Sequence, residues 1–152
     1  MRKRSRAREF ALQILYEFDI SHTEIAEILD GFWKEKTDLA LSGPEREAIN
    51  QDKLDEEVRV YTEKLARGTA EKLETIDKTI ERFAEHWEIK RMAYVDRNIL
   101  RLATYEIIHL EEIPVKVAIN EAVELAKRYG ESDSSKFVNG ILDKIAKTEC
   151  KK

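Results

Sequence analysis

A chain of 152 residues has the length of about one domain, and its 42% hydrophobic content is enough for a core that needs neither a disulfide framework nor a structural metal. A single cysteine excludes an internal bridge and fits a reducing compartment, and with no apolar run of about 18 residues and no signal-like segment after the first eight, the expectation is a cytoplasmic chain without a membrane span. Charged residues make up 38% against 5 Gly and 2 Pro, which favours long helices over a turn-rich sheet; the net charge is −4, yet the first eight residues hold five cations and no acid, so the other 144 carry −9.

In chain order, Ala7, Ala11, Ile14, Leu15 and Phe18 recur with the spacing of one helical stripe. The stripe starts inside the basic segment, so Arg4, Arg6 and Arg8 are expected in or just before the first turn of a docked helix. Cations at a helix N-terminus oppose the macrodipole by about 0.3–1 kcal/mol each, whereas an anion bound there meets both guanidinium groups and free backbone N–H groups. On charge alone, a solubilising tail or membrane-surface anchor is the other reading of this basic head.

Ile25, Ile28, Leu29 and Phe32 repeat the spacing after Ser21 and Thr23, either of which can cap a second helix. Residues 35–51 lose periodicity, and Ser42-Gly43-Pro44 is a turn signal, so a loop or short helix between subdomains is predicted. Leu54, Val58, Tyr61 and Leu65 form a third stripe, with Gly68 as a possible break. Leu73, Ile76, Ile80, Phe83 and Trp87 continue into a fourth. Two stripes between Val95 and Leu110 mark a central helix buried by several neighbours. After Pro114, Ile119, Ala122, Val123 and Ala126 form a stripe that Gly130 ends as a C′ glycine. Caps within residues 132–135 then precede a last helix carrying Val138, Ile141, Leu142 and Ile145. The prediction is an all-α protein of about seven helices in two packed subdomains, residues 1–88 and 89–150.

Signals for catalysis are absent. His22, His86 and His109 have no Cys or carboxylate at ligand spacing, so no metal site is expected; Cys150 sits at the tail, and the five glycines are scattered singly, without a phosphate-cradling loop. Asp55, Glu56 and Glu57 read as a solvated helix face. No enzymatic activity and no cofactor are expected.

Two groups of residues go beyond generic helix. The segment RSRAREFALQILY at residues 4–16 resembles the opening of the NusB family of bacterial transcription antitermination factors. VDRNILRLATYEI from Val95, IPVKVAINEAVELAKRYG from Ile113 and SSKFVNGILDKIAK from Ser134 resemble the same family in the same order. Residues 35–51 look longer than usual for it, and Ser5 stands where the family often has Arg. The resemblance implies a two-subdomain, NusB-like helical fold without enzymatic activity. It also implies binding of the boxA element of nascent ribosomal RNA transcripts together with NusE, a small-subunit ribosomal protein, within a complex that includes NusA, NusG and RNA polymerase. Carried onto this chain, it implies an RNA surface of Arg4, Arg6, Arg8 and Gln13 with Lys136, Phe137 and Asn139, and a NusE surface including Asp96 and Glu106.

The residue chemistry agrees with single-stranded RNA. Arginine offers bidentate contacts to phosphate, an aromatic ring stacks bases and an amide reads base edges. This reading expects one platform formed by the start of the first helix and the start of the last. Phe137 remains either a stacking ring or a core residue beside Val138, Asn139 either a base reader or an internal partner, and Asn120 and Glu121 are potential interior anchors; Gly140 most simply permits close helix packing. Two other functions stay open: a purely protein-binding helical scaffold, and an RNA-modifying enzyme, because NusB-like domains also precede some ribosomal RNA cytosine methyltransferases. A chain ending at Lys152 is expected to have no room for that second domain.

Overall fold

Apolar residues three and four apart drive the described helices, because burying such a stripe while most charged residues stay in water stabilises them. The computed structural model describes residues 2–40 and 55–149. Seven α-helices occur there: α1 (Arg2–Ser21), α2 (Ile25–Ala40), α3 (Glu56–Glu71), α4 (Leu73–Phe83), α5 (Tyr94–His109), α6 (Val115–Tyr129) and α7 (Ser134–Glu149), with a short 3₁₀ turn at Ile89–Arg91. The fold is all-α, and no strand occurs among the described residues. The turn expected at Ser42-Gly43-Pro44, Leu54 of the third stripe and Cys150 lie outside the described residues. Because α2 continues to Ala40, the first part of the expected loop at 35–51 is helical.

The chain forms two compact units, Met1–Gly68 and Thr69–Lys152. Since α4 packs against α5 and α7, it belongs to the second unit, whereas the sequence boundary near residue 88 groups it with the first.

In the first unit, Ile14, Ile28, Leu29 and Ala66 form a core against which Phe18, Ile25 and Phe32 pack. Phe10, Phe32 and Trp33 meet edge to face with ring centroids 5.0–6.0 Å apart, and the Trp33 indole N–H donates to Glu63 Oε2 at 2.9 Å. Asp55 is no passive solvated acid. Its Oδ1 accepts the Glu57 and Val58 backbone N–H groups at 3.0 and 3.3 Å, capping α3. Lys3 Nζ lies 3.1 Å from Asp55 Oδ2; their hydrogen bond holds the Asp55 carboxyl below its ordinary range and raises the lysine. Helix α3 runs through Gly68 without interruption; the break falls at Lys72.

In the second unit, α5 packs against α4, α6 and α7, and α6 against α7. Residues 97–104 of α5 are buried without a gap, as its double stripe predicts. All four predicted apolar residues of α7, Val138, Ile141, Leu142 and Ile145, are buried. Along α6 the buried set is Ala118, Ala122, Leu125 and Ala126, a slight rotation from the predicted stripe, and Asn120 is exposed rather than interior.

Two glycines differ from expectation. Gly130 follows α6 with φ −96°, so left-handed geometry is not its reason. A Cβ there would lie 2.6 Å from Ser134 Cβ and Oγ and 2.9 Å from the Ala126 carbonyl oxygen, so the start of α7 can approach only a bare backbone. Gly140, expected to allow close packing, is exposed, and a Cβ on it would meet nothing within 4 Å. Inside a helix such a glycine costs about 0.5–1 kcal/mol relative to alanine, with no packing gain here to offset it.

Candidate functional site

The basic head is helical from Arg2 onward. α1 already starts at Arg2, so Arg4 stands in its first turn and Arg6 and Arg8 lie deeper than predicted. The cations also diverge. Arg4 is exposed and stacks its guanidinium 4.5 Å from the ring centroid of Tyr61, itself 6% exposed. Arg6 is exposed, and its Nη1 donates to Glu9 Oε1 at 2.7 Å. Arg8 corrects the expectation of a third surface cation: one turn after Arg4, it is 2% exposed and lies 5.6 Å from the Tyr61 ring centroid. Helix α1 is buried on every side across residues 7–12, leaving Arg8 no route to the surface. Gln13 is exposed one turn after Glu9, on the face that Arg6 occupies. The sequence reading missed Tyr61 as the ring that positions Arg4 and Arg8, assigning it to the core stripe alone.

In the second unit, the first turns of α7 carry the other predicted residues. Lys136 and Asn139 are exposed, and Phe137 is half-buried between the two readings open for it. Its ring meets Trp87 edge to face, with centroids 5.9 Å apart and planes at 74°. Trp87 is 49% exposed, although the period of α4 predicts it in the core. The helix ends at Phe83 because the chain turns through His86, a non-glycine residue at φ 68°. With spacings of three and four unbroken through Trp87 and no glycine at the turn, the sequence carries no stop signal.

The residues predicted to face NusE also separate. Glu106 is 1% exposed on the interior side of α5, so it is not a surface contact as predicted. Asp96, in the first turn of α5, is half-buried, and its Oδ1 is enclosed without a hydrogen-bond partner. Burial raises its carboxyl above the ordinary value; a hydrogen bond with the Ser134 side chain opposes this, while Asp133 and Glu131 add to it. A raised carboxyl binds its proton more tightly in the folded chain, so its contribution to stability is present at low pH and lost as pH rises through the folded value. Asp96→Asn is therefore expected to gain stability relative to the parent between pH 4 and pH 7 in urea titrations. A difference that stays constant across that range would contradict this account.

Groups of three or more metal-binding side chains are absent among the described residues, and no described helix is long and apolar enough to cross a membrane. The family model described as NusB family matches residues 5–147. The chain is 46% identical over 144 residues to the transcription antitermination protein NusB of Anaeromyxobacter sp. (strain Fw109-5), covering 95% of this chain and 90% of that protein. It is 37% identical over 155 residues to that of Thermodesulfovibrio yellowstonii, covering 97% and 93%. Among solved structures, T. maritima NusB superposes with a TM-score of 0.78 at 36% identity, covering 97% of this chain and 92% of that one. A structure of antitermination factors NusB and NusE in complex with dsRNA gives 0.76 at 31%, covering 97% and 98%. With a match over nearly its whole length and relatives of this similarity, the chain belongs to the NusB family.

Proposed function

We propose that this chain is a non-enzymatic antitermination factor of the cytoplasm that binds boxA RNA of ribosomal RNA transcripts together with NusE, and that the pair joins NusA, NusG and RNA polymerase. The observation that carries the reading is the start of α7, where the exposed cation of Lys136 is flanked around the helix by the half-buried ring of Phe137 on one side and by the exposed amide of Asn139, three residues on, on the other. That combination serves an unpaired nucleotide: charge for the phosphate, a ring for the base face and an amide for the base edge. A related NusB has been solved with NusE and RNA, which supports the same two partners here.

Arg4, Arg6 and Lys136 are the exposed cations assigned to phosphates, with Gln13 two turns on from Arg6 along the same face of α1. Arg8 acts from below by holding the Tyr61 ring on which Arg4 rests. Three phosphate contacts to a single strand give a salt slope near −2, a modest electrostatic contribution that leaves specificity to base contacts and to NusE. Asp96 is assigned to the NusE surface, and the buried Glu106 supports that helix from within.

The test is binding of a single-stranded boxA RNA, with its duplex form as comparison, with and without NusE. Binding should favour the boxA single strand and tighten with the partner. Phe137→Ala should weaken RNA binding by about 1–3 kcal/mol, the worth of one stacked base, with a smaller change in unfolding free energy because the ring is partly solvated already. Loss of stability without loss of RNA affinity would make Phe137 a core residue. Absence of sequence preference and of any NusE effect would favour a protein-binding scaffold instead.

A further inference from the structure

We propose that Trp87 is a second base-stacking residue, and that Gly140 leaves the α7 surface beside Phe137 bare so that a nucleobase can lie against it. The proposal rests on the RNA-binding reading above and extends it to two residues outside the predicted RNA surface. Trp87 holds an indole half in water, an arrangement that folding alone disfavours. The residue is nevertheless held, its segment by backbone hydrogen bonds and its ring by Phe137. Its backbone N–H donates to the Ala84 carbonyl at 2.9 Å, the next residue but one donates its N–H to Glu81 Oε2 at 2.9 Å, and the ring packs on Phe137. His86, immediately before it, occupies the left-handed region at φ 68°, a conformation that persists only where surrounding structure imposes it. A ring both exposed and fixed loses little freedom when a base stacks on it.

Gly140 supplies the independent observation. It lies three residues after Phe137 and four after Lys136, on the same side of α7. A Cβ there would point into open space, so in this proposal the bare backbone leaves room for a base beside Phe137. The surroundings are polar rather than apolar: Lys136 and Asn139 are exposed on α7, and Lys144 Nζ reaches to 3.6 Å from Glu85 on the turn that carries Trp87. An aromatic pair, bare backbone and lysines suit a flat, polar-edged base with its phosphate.

The two tryptophans make the test direct, because Trp33 is 4% exposed and Trp87 is 49% exposed. Titration of the full chain and NusE with single-stranded boxA RNA should quench indole emission. Trp87→Phe should abolish most of the quenching while keeping affinity within about threefold, since a phenyl ring still stacks. Trp87→Ala should weaken binding fivefold or more. Gly140→Ala should weaken it comparably while raising the thermal midpoint, a combination that a merely structural glycine would not produce. Parental affinity in both Trp87→Ala and Gly140→Ala, with quenching unchanged in Trp87→Phe, would overturn the inference and leave the RNA-binding reading intact. Failure of the parent to bind this RNA with NusE would overturn both.

Discussion

Asp77→Ala is expected to lower the unfolding free energy by about 3 kcal/mol, the low end of the range for breaking a buried ion pair. Both Asp77 oxygens accept from Arg101, at 2.8 Å from Nε and 2.9 Å from Nη2, and Arg101 Nη1 donates to Asn98 Oδ1 at 3.1 Å. Asn98 in turn donates to the Tyr94 carbonyl at 2.8 Å, so α4 is tied through one guanidinium to the first turns of α5. Arg101 is 6% exposed and cannot recover hydration when the carboxylate is removed. The Asp77 side chain keeps 21% of its own exposure, which is why the low end applies. Asp77→Asn, which retains a hydrogen-bond acceptor but no charge, should cost less. Replacing both partners by aliphatic residues of similar volume should cost least, since no buried charge is left behind. Chemical denaturation of the three variants checks the order. An Asp77→Ala loss below 1 kcal/mol would show that water reaches the guanidinium.

The second large effect lies in the same unit, at the residue before Arg101. Leu100→Ala should cost about 2–5 kcal/mol, through lost transfer free energy and through a cavity that the surroundings cannot close. Leu100 is 0% exposed within an uninterrupted buried stretch, and α5 has neighbours in α4, α6 and α7. With packing on so many sides, collapse around the truncated side chain is restricted, which places the expected loss toward the upper half. Val60→Ala on α3, at a residue 56% exposed, should stay within about 0.5 kcal/mol. Similar losses at both positions would mean that α5 is not the tightly packed centre of its unit.

The α7 surface shows how far periodicity reaches. Spacing located the buried set of this helix because Val138, Ile141, Leu142 and Ile145 repeat with its turn. Phe137 sits at the edge of that stripe, where a rotation of a few tens of degrees decides between core and solvent, and sequence alone left both readings standing. Trp87 shows the converse. Its spacing continues α4 without fault, yet the chain leaves the helix at Phe83 and turns through a left-handed His86. The family resemblance assigns Arg8 and Glu106 to binding surfaces, yet both are buried. Their helices are enclosed on the sides where charged residues ordinarily find solvent.

What the sequence determined by itself is the helical class, the order of the elements and the family, because stripe spacing and ordered motifs are local properties of the chain. What tertiary structure alone decided is which polar and aromatic side chains remain in water: Arg4 but not Arg8, Asp96 more than Glu106, and Trp87 beside Phe137. Exposure depends on neighbours supplied by other helices, and no spacing along one helix encodes where those neighbours stop.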